Sequence, residues 1–205
     1  MKYQSKTLLE GLYAQTETNI SKAISEWQLL SNSRMTAQPA PGAWSASQCL
    51  EHLNSYGRYY LPAIEKAIVK AAGKRAVPDF NSSWLGNYFY KLMLPENNGT
   101  VKKKMRSPKD HRPGLGLNAE KVLQEFISQL EILGRLLNEA KTIDINAARV
   151  PISVSPLIKL KLGDTFLFLI AHINRHIQQA ERALQVALQD QPGLVTAPGN
   201  LAMTS

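Results

Sequence analysis

The chain has 205 residues, 44% of them apolar and 20% charged, enough for one domain with a real core. The formal net charge of +8 admits nucleic-acid or anionic-surface binding, but Lys102, Lys103, Lys104, Arg106, Lys109 and Arg112 crowd into one stretch, so the excess reads first as a solvated loop and nucleic-acid binding is the lesser reading. The lone cysteine, Cys49, excludes an intrachain disulfide, no apolar run approaches the roughly 18 residues of a spanning helix, and the amphipathic N-terminus lacks a signal-peptide core, so a soluble cytoplasmic protein with no membrane partner is expected.

In chain order, the first predicted helix covers residues 5–30. Leu8, Leu9, Leu12, Tyr13, Ile20, Ile24, Trp27 and Leu30 recur there at helical spacing. Residues 31–42 contain Pro39, Pro41 and Gly42 and read as a break. The second helix opens on a capping box, Ser45 to Gln48, with Trp44 in the position of a hydrophobic staple. It runs to about residue 72, with a kink expected near Arg58 because Pro62 lies inside it.

Residues 73–117 form a long crossover. Within it, 84–94 (WLGNYFYKLML) read as a short apolar helix and 97–116 as loop. The third helix is capped by Asn118 and ends near Lys141, its apolar face carried by residues such as Val122, Phe126, Leu130 and Leu137. Residues 144–162, broken by Pro151 and Pro156, read as a connector. The last helix begins near Gly163 or Asp164 and reaches about Gln189. Residues 1–190 are expected to form one domain, and 191–205 a flexible tail. The pattern predicts an all-α fold, a four-helix bundle whose long crossover between helices two and three carries a short extra helix. A larger irregular helical fold is the alternative, if 84–94 pack as a full fifth helix.

Three of the four histidines stand out. His172 and His176 are four residues apart, neighbours on one helical face about 5–6 Å apart at Cβ, and such a pair can share a metal ion. Ile173 stands where a HExxH metalloprotease carries its Glu, which argues against that chemistry. On helical projections the pair, and His52 on the second helix, border the buried stripe, so the two helices can bring imidazoles to a common point. Hydrogen-bonded structural histidines are the competing reading.

Around them, Cys49 and Tyr56 lie one turn either side of His52 as pocket candidates. Their plainer readings are a small buried hydrophobe and a core-edge tyrosine. Gln48 and Gln179 are candidates to support the ligands, against helix capping for Gln48 and solvent exposure for Gln179. Arg175 reads as solvated, Asp164 as a helix-start residue, and His111 is given no role.

The segment PGAWSASQCLEHL at 41–53 resembles the start of helix two in the DinB-like superfamily, with its G-x-W-S and H-L elements. HINRHIQQ at 172–179 resembles the H-x-x-R-H-x-x-Q core of that family's last helix. Element order matches over most of the chain, while the insertion at 73–117 is larger than a minimal member needs. The resemblance implies up-down-down-up helix order and a metal triad on His52, His172 and His176. It also implies a homodimer, and an activity such as metal-dependent thiol S-transfer with a low-molecular-weight thiol. Three imidazoles with an open position suit a catalytic zinc, nickel, iron or copper ion, for thiol transfer or for hydrolysis of a small molecule. A non-catalytic, stress-related metal- or ligand-binding bundle is the alternative.

Overall fold

The computed structural model describes residues 1–95 and 107–189. Of the basic stretch, Lys102, Lys103, Lys104 and Arg106 lie outside the described residues, as does the expected tail at 191–205. Lys109 and Arg112 are described and exposed.

Four long helices supply most of the packing. Helix α1 (Ser5–Lys22) passes into a π-helical turn at Ala23–Trp27, which seats Trp27 in the core while Ile24 stays exposed. A short helix α2 (Asn32–Thr36) interrupts the expected break. Its Ser31 cap accepts from the Arg34 N–H at 3.3 Å, and its Asn32 Oδ1 accepts from the Ala119 N–H at 2.8 Å.

Helix α3 (Ala46–Lys70) starts on the predicted capping box: Ser45 Oγ accepts from the Gln48 N–H at 3.2 Å, and Gln48 Oε1 from the Ser45 N–H at 3.1 Å. The turn leading into it uses Gly42 at φ 75°, a left-handed conformation that costs glycine little. The helix continues through Pro62.

A short strand β1 (Lys2–Gln4) pairs antiparallel with β2 (Asp79–Asn81) and places Phe80, fully buried, under the crossover. Helix α4 (Trp84–Met93) is the predicted short helix, and it packs on the last helix as an added element. The contact is close. A Cβ on Gly86 would lie 2.1 Å from Asp164 Cγ, and Asp164 Oδ2 accepts from the Ser83 N–H and hydroxyl at 3.1 and 2.7 Å.

Helix α5 (Ala119–Glu139) is capped by Asn118 as expected and ends in a 3-10 turn at Ala140–Thr142. The expected connector at 144–162 is instead a hairpin of β3 (Arg149–Ile152) and β4 (Ser155–Lys161). Two strands leave free edges that tolerate prolines, so Pro151 and Pro156 do not break it. Tyr59 and Tyr60 of α3 hold the hairpin, donating to the Ile152 carbonyl at 3.1 Å and accepting from the Ser153 N–H at 3.2 Å.

Helix α6 (Leu162–Gln189) closes the fold. It packs on α1, α3 and α4, while α5 packs on α1 and α3. Among the described residues the architecture is therefore all-helical apart from two small two-stranded sheets. One apolar cluster joins the long helices through residues such as Leu50, Ile64, Leu136 and Phe166. Among the described residues, no helix is long and apolar enough to cross a membrane.

Candidate metal centre

Capping registers α3, and register aims His52. Two turns beyond the Ser45 cap, its ring points between α3 and α6, where α6 presents His172 and His176 from successive turns. The ring centroids lie 5.1 Å (His52 to His172), 4.5 Å (His52 to His176) and 4.7 Å (His172 to His176) apart. One ligand nitrogen from each falls within 4.8 Å of the others, so the three can hold a metal ion. His52 and His172 are only 3% and 4% exposed, and His176 keeps some exposed surface.

Hydrogen bonds set the ring nitrogens. His52 Nδ1 lies 2.7 Å from the His111 carbonyl, which only accepts, so Nδ1 carries the proton and Nε2 the lone pair. His176 Nδ1 lies 3.0 Å from Gln179 Oε1, which selects the same tautomer. His172 Nε2 is 3.2 Å from His52 Nε2, and its buried Nδ1 has no partner among the described residues. His172 can donate one Nε2 proton to one neighbour at most. Two converging lone pairs exceed what one proton satisfies, whereas a divalent cation satisfies all three nitrogens.

The surroundings favour neutral imidazoles, the form that ligates. Burial lowers His52 to about 4, the His111 carbonyl opposing and the His111 charge adding to the effect. Burial and then the neighbouring His52 lower His176 to about 3. Burial, followed by the charges of His176 and His52, lowers His172 well below its ordinary value. Aromatic rings line the group. Tyr56 lies 5.0 Å from His52 and 4.5 Å from His172, Phe168 stacks on His172 at 5.7 Å, and Trp44 sits 4.9 Å from His52 and 5.9 Å from His176.

The other sequence candidates divide. Tyr56 belongs to this wall, its hydroxyl pushed up to about 12 by burial. Gln179 holds His176 rather than facing solvent. Gln48 serves the capping box and donates to the Gly114 carbonyl at 3.2 Å. Cys49 is fully buried in the core and its thiol is pushed up to about 12 by burial, the properties of a small hydrophobe. Asp164, buried at the start of α6, receives Ser83. Arg175 is half-buried, not solvated, and donates to the Leu92 carbonyl at 3.1 Å.

Sequence reasoning missed two contributors. His111 sits on a 3-10 turn at Lys109–His111 and supports His52 through its backbone carbonyl, while its ring lies tilted against Tyr56 with centroids 4.0 Å apart. A carbonyl carries no residue signature, so no pattern could single it out. The sequence pattern places Trp44 only at the helix start, and its packing on His52 and His176 depends on where α6 is set.

A family model described as the DinB superfamily matches residues 15–180, a span enclosing all three histidines. No curated protein and no solved structure matches the chain.

Proposed function

The chain belongs to the DinB superfamily, and from that premise we propose that it is a metal-dependent enzyme acting on a small molecule, with one divalent ion held by Nε2 of His52, His172 and His176. The observation that carries this reading is the convergence of three neutral imidazoles from two helices, two of them with Nδ1 already committed to an acceptor. A divalent ion held by these three histidines would supply Lewis acidity near neutral pH. The chain's own residues do the rest. The His111 carbonyl and Gln179 orient two rings, and Tyr56, Phe168 and Trp44 keep water from the imidazole faces. Transfer of a low-molecular-weight thiol to a small electrophile is the reaction we assign first, and hydrolysis of a small molecule second. A homodimer is the assembly the family resemblance implies, with residues 1–190 of each chain as one domain.

The deep burial of His52 and His172 favours one other reading, a metal that only braces α3 against α6. Metal content of the purified chain, compared with His52→Ala and His176→Ala, tests the site. About one ion per chain is expected in the wild type and a large loss in each variant; full occupancy in both variants removes the triad. Thiol consumption with a panel of electrophiles, and acid release from a panel of hydrolysable esters, both with the metal-loaded protein, separate the two readings. Turnover abolished by His176→Ala supports the enzyme, and metal-dependent stabilisation without turnover supports the brace.

A further inference from the structure

Helix α4 is apolar on two sides. On one, Gly86 and Met93 are buried and Phe89 meets Phe168 of α6 at 6.1 Å. On the other, Trp84, Tyr88 and Lys91 follow the spacing i, i+4 and i+7 and so share a helical face. All three are exposed, Trp84 at 81%, and the Trp84 and Tyr88 rings stack on each other at 6.0 Å. Strand β4 lies against α4, and both pack on α6. Lys161 at the end of β4 ties the two together, donating at 2.6 Å to the Asn81 carbonyl at the end of β2, which leads into α4. Leu157, 93% exposed, shares one face of β4 with exposed Lys159, and Ile158 and Val154 are exposed beside them.

The charges on these elements have one sign. Helix α4 and the hairpin at 149–161 hold Lys91, Arg149, Lys159 and Lys161, and neither contains an aspartate or glutamate. Of the acids on the adjoining β2 and the start of α6, Asp79 is held by Lys2 at 2.9 Å, and Asp164 is buried and receives Ser83.

We propose that this face, Trp84 and Tyr88 of α4 with Leu157 and Ile158 of β4, seats the protein on the surface of an anionic lipid bilayer. The apolar side chains enter the interfacial zone that Trp and Tyr rings favour, and Lys91, Arg149 and Lys159 meet the anionic headgroups. The net charge of +8 draws the whole chain the same way. A second copy of the chain is the poorer occupant. In a two-fold contact the patch would meet itself, and its cations would oppose one another with no acid between them. Adsorption of this kind needs no spanning helix, and it rests on neither the metal nor the proposed reaction.

Trp84 makes the test direct, because Trp27 lies in the core and Trp44 packs on His52 and His176. The full-length protein is expected to co-sediment with vesicles of phosphatidylcholine and phosphatidylglycerol in equal parts, its tryptophan emission shifting to the blue. Vesicles of phosphatidylcholine alone are expected to bind about tenfold more weakly or less still. Trp84→Phe keeps the binding and loses the shift. Two double variants, Trp84→Ser with Leu157→Ser and Lys91→Gln with Lys159→Gln, each lower binding about tenfold or more, their folds checked by circular dichroism. No binding to the anionic vesicles, equal binding to the neutral ones, a blue shift retained in Trp84→Phe, or either double variant binding like the wild type would overturn the proposal. So would a dimer in sedimentation velocity that the serine double variant abolishes, since the face would then belong to a second copy.

Discussion

The three imidazoles differ in what steadies them. His52 leans on a backbone carbonyl, His176 on the Gln179 side chain, and His172 on neighbouring rings alone. Substitution should therefore act unevenly. Gln179→Ala frees the His176 ring and removes the acceptor that sets its tautomer, so metal affinity is expected to fall about tenfold or more. His111→Ala keeps its carbonyl and should cost metal affinity less, although the ring contact with Tyr56 is lost. Competition titrations against a chromophoric chelator read both, and a larger loss in His111→Ala than in Gln179→Ala would contradict this division. Neither support was ranked by residue type. Gln179 projects near the ligands on a helical wheel, but whether it meets solvent or an imidazole depends on how deeply α6 is set.

At the scale of elements, caps and periodicity made α1, α3, α4, α5 and α6 legible, because α3, α4 and α5 start on a capping side chain and the long faces carry a 3.6-residue repeat. Ser45 illustrates how a local signal reaches the site: the cap that starts α3 also sets the register that aims His52. Ser45→Ala loses the acceptor for the Gln48 N–H and leaves the reciprocal bond alone, which should lower stability by about 1 kcal/mol. A urea midpoint shifted by that amount with unchanged metal stoichiometry is expected; no shift would mean that tertiary packing, not the cap, holds the start of α3. The hairpin at 149–161 was hidden for the opposite reason. Its prolines are strong local signals for a break, and its pairing is stabilised by tyrosines nearly a hundred residues earlier. The short α2 was hidden among small polar residues whose helix depends on docking Met35 in the core and Asn32 on α5.

The whole molecule carries the acid sensitivity of the site. In the unfolded chain an ordinary histidine takes a proton below about pH 6.5. In the folded, metal-free protein burial holds His52 to about 4 and His176 to about 3. The unfolded state therefore binds more protons as pH falls. The stability these groups contribute is complete above about pH 6.5 and is lost as pH drops toward 3–4. Each imidazole should cost the metal-stripped protein roughly 1–2 kcal/mol between pH 7 and pH 5. Urea unfolding across that interval checks the sign, and a His52→Ala, His176→Ala double variant should flatten the slope; an equally steep slope in that variant would place the sensitivity elsewhere.

The sequence by itself determined an all-helical chain, the starts of its principal helices, and three histidines on the borders of two buried stripes. Those are local properties, set by hydrogen-bonding caps and by the angular step of the helix, and they survive without knowledge of what each element packs against. Only the tertiary structure decided that the imidazoles meet within 4.8 Å, that a carbonyl from the crossover orients one of them, and that Arg175 lines a cavity rather than facing solvent. Each of these depends on where one element is set against another distant in sequence, a relation that the periodicity of a single helix does not encode.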